Sequence, residues 1–384
     1  MERVVVEYLA NALWQLPVLA AGAWLLLRMW EPGPAAQHWI WLAVLGLGLV
    51  LPLRGAVPAA ASVAPAMATS PATTFSGTAF DSVGEPGGFV LGQQTDGAQS
   101  AEWADFVSAA FSDCVRRVSV SAAAARWIVG IWLAVMLLGL VRLAGAWRAA
   151  RRLVAESRAV ALRDREQVVL EECARRIGVA APEVRESDGI AGPVVVGAFA
   201  PVLLWPDSFR RSSDDELRAV LCHELAHLRR RDYGMNLVCE AAVAPLKWHP
   251  AAHGVGRRIR ATREMACDAM AAAAMDSGTV YAECLVRLAR SIAGGGVAAG
   301  SVAAGLFNGN VMEERVMRLM RGRIAMSWRT RLVRGAAGVA AMMAAIAVAG
   351  MFHVAPAMAQ GVGAAVRSPG WNAVVVAASQ AVPL

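Results

Sequence analysis

Residues 213–230, SDDELRAVLCHELAHLRR, decide how the middle of this chain folds and what it can bind. Ser213 followed three residues later by Glu216 forms a capping box, and apolar residues then recur at helical spacing, so we predict a helix over this stretch. His223 and His227 are four residues apart and share one helix face, with Cβ atoms about 5–6 Å apart. At that separation both imidazoles can bind one metal ion.

Glu224 follows the first of these histidines directly, where its carboxylate can take a proton from a water activated by the metal. An HExxH pattern on a capped helix is typical of zinc hydrolases, in which a third protein ligand completes the site and a fourth position stays open. The alternative is a pair of surface histidines on an amphipathic helix. The capped helix favours metal binding, and we predict Zn²⁺ as the cofactor.

The third ligand is predicted downstream, in a helix over 251–275 that contains Glu264 and Asp268. These two acids are four residues apart and share a face. We expect Glu264 to be the third zinc ligand, and Asp268 to accept a hydrogen bond from a histidine ligand and fix its tautomer. The alternative for this pair is a solvated acidic face on an arginine-rich helix.

Other residues near the motif are competing candidates. His249 precedes Pro250, and we predict that it either begins the helix or meets the oxyanion of the substrate, a role for which Tyr281 is a second candidate. His253 and Cys267 are alternative metal ligands. We expect them instead to be an exposed histidine of the first turn and a small buried thiol.

Upstream of the motif the chain changes to short β-rich runs. A predicted helix over 165–177 is followed by strands over 193–196 and 201–204, joined through Gly197. We predict a strand pair there, and an extended substrate can pair with its edge by main-chain hydrogen bonds.

The whole chain of 384 residues is too apolar for an ordinary soluble protein. Apolar types make up 57% and charged types 17%, against about 25% charged residues in soluble domains. The six cysteines show no CxxC spacing, so neither a thiolate zinc knuckle nor a disulfide scaffold is supported. We therefore predict a mainly α protein that combines membrane helices with a folded α+β domain.

Four apolar stretches meet the requirement of about 20 mostly apolar residues per bilayer crossing. A cleaved signal peptide is the alternative for the first stretch, but Glu2 and Glu7 at its start argue against it. A buried helix of a soluble core is the alternative for the last stretch. The predicted transmembrane helices are residues 8–27, 36–53, 122–141 and 335–352.

Arginines determine the predicted orientation. Residues 142–165 hold seven arginines and two acids, and residues 315–334 hold seven arginines and no acid, so both segments are predicted to be cytosolic. We predict a multi-pass protein of the bacterial inner membrane with both termini outside, a cytosolic domain over 142–334, an outer loop over 55–121 and an outer tail over 353–384. DNA binding is the alternative for the basic run before the last span. Its position favours the membrane surface, and no direct nucleic acid binding is expected.

Together these motifs resemble the BlaR/MecR-type membrane zinc metallopeptidases, the fifty-sixth metallopeptidase family. The resemblance covers roughly residues 8–352, and HExxH with ExxCD is its most specific part. The motifs that carry it are HELAH at 223–227, RRRD at 229–232, WHP at 248–250, ExxCD at 264–268 and ERV at 314–316, with the strand pair ahead of them.

The resemblance implies zinc bound by His223, His227 and Glu264, with Glu224 as general base, in a gluzincin-like cytosolic domain. It also implies regulatory signalling by cleavage of a protein, in the best-known members a DNA-binding repressor, and a homodimer is compatible with it. Antibiotic sensors of this family carry an outer penicillin-binding domain after the last helix. Only about thirty residues follow residue 352 here, so we do not expect antibiotic sensing by this chain alone.

Two other classes of function stay open. The first is a membrane quality-control or processing protease of the HtpX type, in which spanning helices separate HExxH from the glutamate ligand. Residues 237–248 are the apolar stretch in that interval, and they are too few to cross a membrane. The second is a non-enzymatic membrane receptor or adaptor in which zinc only holds the domain together. Glu224 argues against it, because a structural site needs no base.

Overall fold

The structure of the chain is a computed structural model that describes residues 1–55, 119–188, 190, 192–294, 309–320, 327–354 and 357–359. Most of the predicted outer loop and of the predicted tail, and part of the basic run before the last span, lie outside the described residues. The described residues are mainly helical with a small mixed sheet, as predicted.

The described residues contain ten α-helices. Their bounds are α1 Glu2–Trp30, α2 Pro34–Val50, α3 Ala122–Glu156, α4 Asp164–Ile177, α5 Asp214–Arg230, α6 Asp232–Val243, α7 Pro250–Ala274, α8 Gly278–Gly294, α9 Gly309–Met320 and α10 Trp328–Met351.

Six short strands lie within the same residues: β1 Ser119–Ser121, β2 Arg158–Ala159, β3 Glu183–Glu186, β4 Val194–Val196, β5 Val202–Trp205 and β6 Ala357–Ala359. β1 and β6 pair in parallel. The other four form a mixed sheet in the order β2-β3-β5-β4, in which β3 and β5 are parallel. The predicted strand pair corresponds to β4 and β5, which are antiparallel, with Val195 opposite Leu203. β4 is therefore an edge strand, and it lies beside α5.

Four helices are long and apolar enough to cross a membrane by length and composition: α1, α2 with the 3₁₀ turn that follows it, α3 and α10. They contain the first three predicted spans in full and the fourth, residues 335–352, up to residue 351. α3 starts at Ala122 as predicted but continues unbroken to Glu156, well past the predicted end at Val141. The reason is local, because the basic stretch after Val141 has no proline and is rich in alanine and arginine, which favour a helix. The last turns of α3, at Ala150 and Leu153, pack on the sheet.

Small residues allow close packing among the apolar helices. A Cβ atom built on Gly22 of α1 would lie 2.6 Å from the Cβ atom of Ala345 in α10, and one built on Gly48 of α2 would lie 2.6 Å from Leu16 Cδ1 of α1. Glycine at such contacts is typical of helix pairs in membranes, where dispersion forces and backbone proximity replace the hydrophobic effect.

The folded domain is built around one face of α5. Leu217, Leu221 and Leu225 are fully or almost fully buried against α4, β5, α7 and α8. The predicted capping box is present, since Glu216 N donates to Ser213 Oγ at 3.3 Å and Ser213 N donates to Glu216 Oε2 at 3.1 Å. The capping box and the buried leucine face together fix the rotation of α5, and thereby the direction in which its histidines point.

Candidate active site

The two histidines of α5 meet on one helix face. His223 Nε2 and His227 Nε2 are 3.2 Å apart, and the two rings are nearly perpendicular, with centroids 4.8 Å apart. Both side chains are largely buried, with relative exposures of 7% and 17%. The i, i+4 spacing thus brings the two nitrogen atoms to one point inside the domain.

Glu264 of α7 completes a cluster of three. Its Oε2 atom lies 3.5 Å from His223 Nε2 and 3.6 Å from His227 Nε2, and it is buried without a hydrogen-bond partner. Its Oε1 atom accepts hydrogen bonds from Arg263 Nε and Nη2 at 3.1 and 3.0 Å. One carboxylate oxygen is therefore held by the protein, and the other faces the two imidazoles.

This cluster fits a divalent metal ion. With Nδ1 directed to a carboxylate, each imidazole presents its Nε2 lone pair, so three acceptor atoms converge with no donor between them. Around a tetrahedral zinc with bonds of about 2.0–2.1 Å, neighbouring ligand atoms lie about 3.3 Å apart. The separations here are 3.2, 3.5 and 3.6 Å. Two imidazoles with one carboxylate are also a known ligand set of catalytic zinc.

Asp232, at the start of α6, orients His227. Its Oδ2 atom lies 2.8 Å from His227 Nδ1, and Arg230 Nε donates to both of its oxygen atoms at 3.3 Å. The chain can turn from α5 into α6 within one residue because Arg231 adopts a left-handed conformation with φ 56°. That tight turn brings the carboxylate back over the histidine.

Asp268 and Tyr281 orient His223. Asp268 Oδ1 lies 3.2 Å from His223 Nδ1, and the hydroxyl of Tyr281 lies 3.0 Å from the same nitrogen. That hydroxyl donates to Asp268 Oδ1 at 2.7 Å. Arg315 of α9 then donates to both oxygen atoms of Asp268, from Nε at 2.6 Å and from Nη2 at 2.7 Å. A buried chain of polar groups therefore runs from α9 to the imidazole.

The charges of the metal-free cluster depend on one another. Burial by itself raises the pKa of Glu264, but the adjacent imidazoles of His223 and His227 outweigh it and bring the pKa well below its ordinary value. Burial lowers the pKa of His223, but Asp268 and Glu264 outweigh it and raise the pKa. Burial likewise lowers the pKa of His227, but Cys267 and its other acidic neighbours raise it well above the ordinary value. The metal-free site therefore favours protons where a cation would bind.

Cys267 lies beside the outer nitrogen of His227. Its Sγ atom is 3.3 Å from His227 Nδ1 and 3.3 Å from Asp232 Oδ2. Burial raises the pKa of this thiol to about 11, so it is protonated at neutral pH. A protonated thiol acts as a weak hydrogen-bond donor to Asp232 rather than as a thiolate ligand.

Glu224 connects the cluster to the edge of the sheet. The residue is 5% exposed, and its Oε2 atom accepts a hydrogen bond from Val195 N of β4 at 3.1 Å. Because Val195 N donates to Glu224 rather than to β5, this part of the free edge of β4 faces the glutamate. The carboxylate and the strand edge thus line the same space.

That space is a cleft of about 1720 Å³, which contains Glu224, His227 and Glu264 in its wall. β4 and the residues after it form one side, and α6 with the first half of α7 forms the other. The cleft extends as far as Ala20 of α1 and Trp41 of α2. It reaches from the cluster to the apolar helices.

The structure brings His223, Glu224, His227, Glu264 and Asp268 together. It does not bring the two predicted oxyanion donors into the cleft, since neither His249 nor Tyr281 is among the described residues that line it. His249 begins α7, where its Nδ1 atom accepts from Ala251 N at 3.0 Å and its Nε2 atom lies 3.1 Å from Leu13 O. Tyr281 is fully buried against His223 and Asp268. His253 is exposed and contacts Lys247 O at 2.7 Å.

Two residues next to the cluster were given no role by sequence reasoning. Asp232 follows His227 by five residues, and a carboxylate so close to the motif was a usable signal. Arg315 is 47 residues from Asp268, and no local pattern connects them.

A buried His-His-Glu cluster on two helices, next to four helices long and apolar enough to cross a membrane, is the arrangement expected of a membrane metallopeptidase. The family model described as BlaR1 peptidase M56 matches residues 18–319, and the chain belongs to this family. A search of curated proteins found no match. Membership implies a membrane peptidase that uses a metal and acts on a protein substrate.

Proposed function

We propose that the protein is an integral membrane zinc endopeptidase that cleaves a cytosolic or membrane-proximal protein. The observation that carries this proposal is the convergence of His223 Nε2, His227 Nε2 and the unpartnered Glu264 Oε2 in a cleft that also contains Glu224. A zinc ion held by these three residues would supply a Lewis acid for hydrolysis of a peptide bond. The choice of zinc follows from the ligand set, since two imidazoles and one carboxylate suit it.

Glu224 is the proposed general base. Its carboxylate takes the proton of the attacking water and returns it to the leaving amine. Val195 N holds it at 3.1 Å from the edge strand, so its direction is fixed before substrate binds. We assign no oxyanion role to His249 or Tyr281, because their polar atoms are engaged elsewhere.

The edge of β4 is the proposed binding site for the substrate backbone. β4 has a neighbour on one side only, β5. An extended peptide that pairs with the other side would run past Glu224 and the metal ligands, and the bulk of the cleft would hold its side chains. The enzyme would therefore recognise an unfolded or extended segment rather than a folded surface.

The proposed topology has four spans with the domain in the cytosol and both termini outside, in the inner membrane of a bacterium. Its support is the excess of arginine on both flanks of the domain. The proposed role is regulatory signalling through a repressor-type substrate, as the family resemblance implies, and a homodimer stays a prediction. Membrane quality control is the second candidate. It is favoured by one observation, namely that the cleft reaches Ala20 and Trp41 of the apolar helices.

The test compares the native chain with Glu224→Gln, made in full length and purified in detergent. We expect both proteins to contain one zinc per chain, because Glu224 is not a ligand in this proposal. In cells, protein fragments with new N-termini should appear with the native chain and be absent with Glu224→Gln. Their identity also separates a repressor from misfolded membrane proteins.

Glu171→Gln on the outer face of α4 is the matched control, because it makes the same chemical change at an exposed residue that accepts a hydrogen bond from Gln167 and does not line the cleft. It should cleave like the native chain. A Glu224→Gln protein that yields the same fragments would refute the base, and a native protein without zinc would refute the whole assignment.

A further inference from the structure

The segment between HExxH and the glutamate ligand forms a helical hairpin, which we call the α6–α7 hairpin. It consists of α6, the turn 244–249 and the first half of α7. Its tip is apolar and too short to cross a bilayer. The tip nevertheless packs among the helices that are suited to a membrane.

Three contacts place the tip beside the middle of α1 and α3. Trp132 Nε1 of α3 donates to Pro245 O at 2.8 Å. His249 Nε2 lies 3.1 Å from Leu13 O, close to the midpoint of α1. A Cβ atom built on Gly139 of α3 would lie 2.9 Å from Lys247 Cδ, so the α3 backbone and the Lys247 side chain are in contact there.

A fourth contact shows where along α7 the hairpin emerges from among the apolar helices. His38 Nδ1, one turn into α2, lies 3.1 Å from Ile259 O and 3.3 Å from Thr262 Oγ1. The ten residues from His249 to Ile259 span about 15 Å of helix. The hydrocarbon core of a bilayer is about 30 Å thick, so the hairpin extends through about half of it.

The main-chain oxygens of Pro245 and Lys247 and the charge of Lys247 have protein partners at the tip, whereas the buried Trp248 Nε1 has no hydrogen-bond partner. Besides the bond from Trp132 to Pro245 O, Lys247 O contacts the imidazole of His253 at 2.7 Å. Lys247, the only lysine of the chain, lies 3.6 Å from Glu240, so neither charge is isolated. Backbone that is not helical is tolerated at membrane depth only where protein groups replace water in this way.

Exposed arginines lie on α7 about two to three helical turns after the tip. Arg257 and Arg258 are exposed and stand eight and nine residues after His249, which is about 12–14 Å along the helix. With the tip near the midplane, their guanidinium groups lie at the level of the inner headgroups, where anionic lipids attract them.

We propose that the α6–α7 hairpin inserts into the inner leaflet as a re-entrant segment whose partner is the acyl chains of the lipids. This inference rests on the proposed four-span topology. Glu264 is fifteen residues from His249, about 22 Å along α7, so the metal cluster would lie just outside the hydrocarbon layer. The cleft would then open at the membrane surface, and its substrate would be a protein anchored there or recruited to it.

Photo-crosslinking tests the insertion without any need for activity. Benzoyl-phenylalanine is introduced singly at Val238 and at Ala241, which are three residues apart and exposed on α6, and at Val168 on α4 as the control. Val238 and Val168 are matched, because both are valines in helices and are 64% and 63% exposed. The full-length chain is reconstituted in vesicles of labelled phosphatidylethanolamine and phosphatidylglycerol and irradiated.

We expect at least one hairpin position to crosslink phospholipid several-fold more than position 168. Yields at both hairpin positions equal to that at 168, or crosslinks from them to protein alone, would overturn the proposal. A melting temperature close to that of the native chain shows that the domain of each variant has folded. Because the measurement gives the same result with Glu224→Gln, failed insertion is distinguishable from a failed assignment of the enzyme.

Discussion

Arg315 and Asp268 form a bidentate ion pair in the interior of the domain, with contacts of 2.6 and 2.7 Å and only 3% of each side chain exposed. Burial by itself raises the pKa of Asp268, but Arg315 outweighs it and lowers the pKa, so the carboxylate stays charged. The same carboxylate lies against His223. The pair therefore connects α9, the last described helix before α10, to a proposed metal ligand.

Arg315→Ala should weaken zinc binding although Arg315 does not touch the proposed metal site. The change leaves the buried carboxylate of Asp268 without its guanidinium partner, which costs about 3–5 kcal/mol of stability. Loss of a partner behind a metal ligand typically costs about 10–100-fold in affinity. Competition with a chromogenic chelator measures the affinity for zinc. Arg315→Lys keeps the positive charge but loses the bidentate contact, so its zinc affinity should lie between those of the native chain and Arg315→Ala.

Arg290→Ala on α8 is the matched control for that series, since Arg290 is exposed. It should bind zinc like the native chain. Equal zinc affinity for Arg315→Ala and the native chain would show that the ion pair only supports the fold.

Asp232→Asn should lower zinc affinity through the other histidine. The asparagine keeps the shape but removes the charge 2.8 Å from His227 Nδ1, so the imidazole loses basicity and orientation. We expect a loss of about 10–100-fold in affinity. Cys267→Ser retains a donor toward Asp232 and should change affinity little, and exposed Asp188→Asn controls for the substitution itself. Native affinity in Asp232→Asn would remove this carboxylate from the metal site.

Residues joined by local geometry were predictable from the sequence, and residues joined by packing were not. His223 and His227 are one helical turn apart, and Glu264 and Asp268 repeat that spacing on α7, so each pair shares a face by helix geometry alone. Arg315 reaches Asp268 only because α9 docks on α7 and α8.

The role of His249 was also not predictable from local sequence, because its place before Pro250 was compatible both with beginning the helix and with meeting the oxyanion of the substrate. The packing of α7 on α1 directs its ring to Leu13 O. The apolar stretch 237–248 is too short to cross a membrane, but its length gave no information on how deeply the hairpin packs among the apolar helices. That depth depends on contacts with α1 and α3, which lie far away in the chain.

The stability of the metal-free protein should respond to pH in the opposite direction from that of the zinc-loaded protein. In the metal-free cluster, burial opposes but neighbouring acids prevail, so the pKa of His227 is raised well above 6.5. A raised pKa contributes stability that is complete below pH 6.5 and is lost as pH rises through the folded value. Glu264, whose pKa is lowered, keeps its contribution down to about pH 4.5.

Melting temperatures between pH 6 and pH 8.5 check this sign. With a chelator the melting temperature should fall as pH rises, whereas with excess zinc it should rise, because the metal competes with protons for the imidazoles. Parallel curves in the two conditions would contradict a metal bound by His223 and His227.

Val195→Pro tests whether the edge of β4 positions Glu224. Proline removes the N–H that donates to Glu224, and it is tolerated on an edge strand where that N–H does not pair within the sheet. A lost hydrogen bond to a charged group is worth about 1.5–3 kcal/mol. We therefore expect kcat/KM on the identified substrate to fall roughly 10- to 150-fold, with zinc content unchanged. Val195→Ala retains the N–H and should retain most of the activity, so equal activity of the proline and alanine variants would show that this hydrogen bond does not position Glu224.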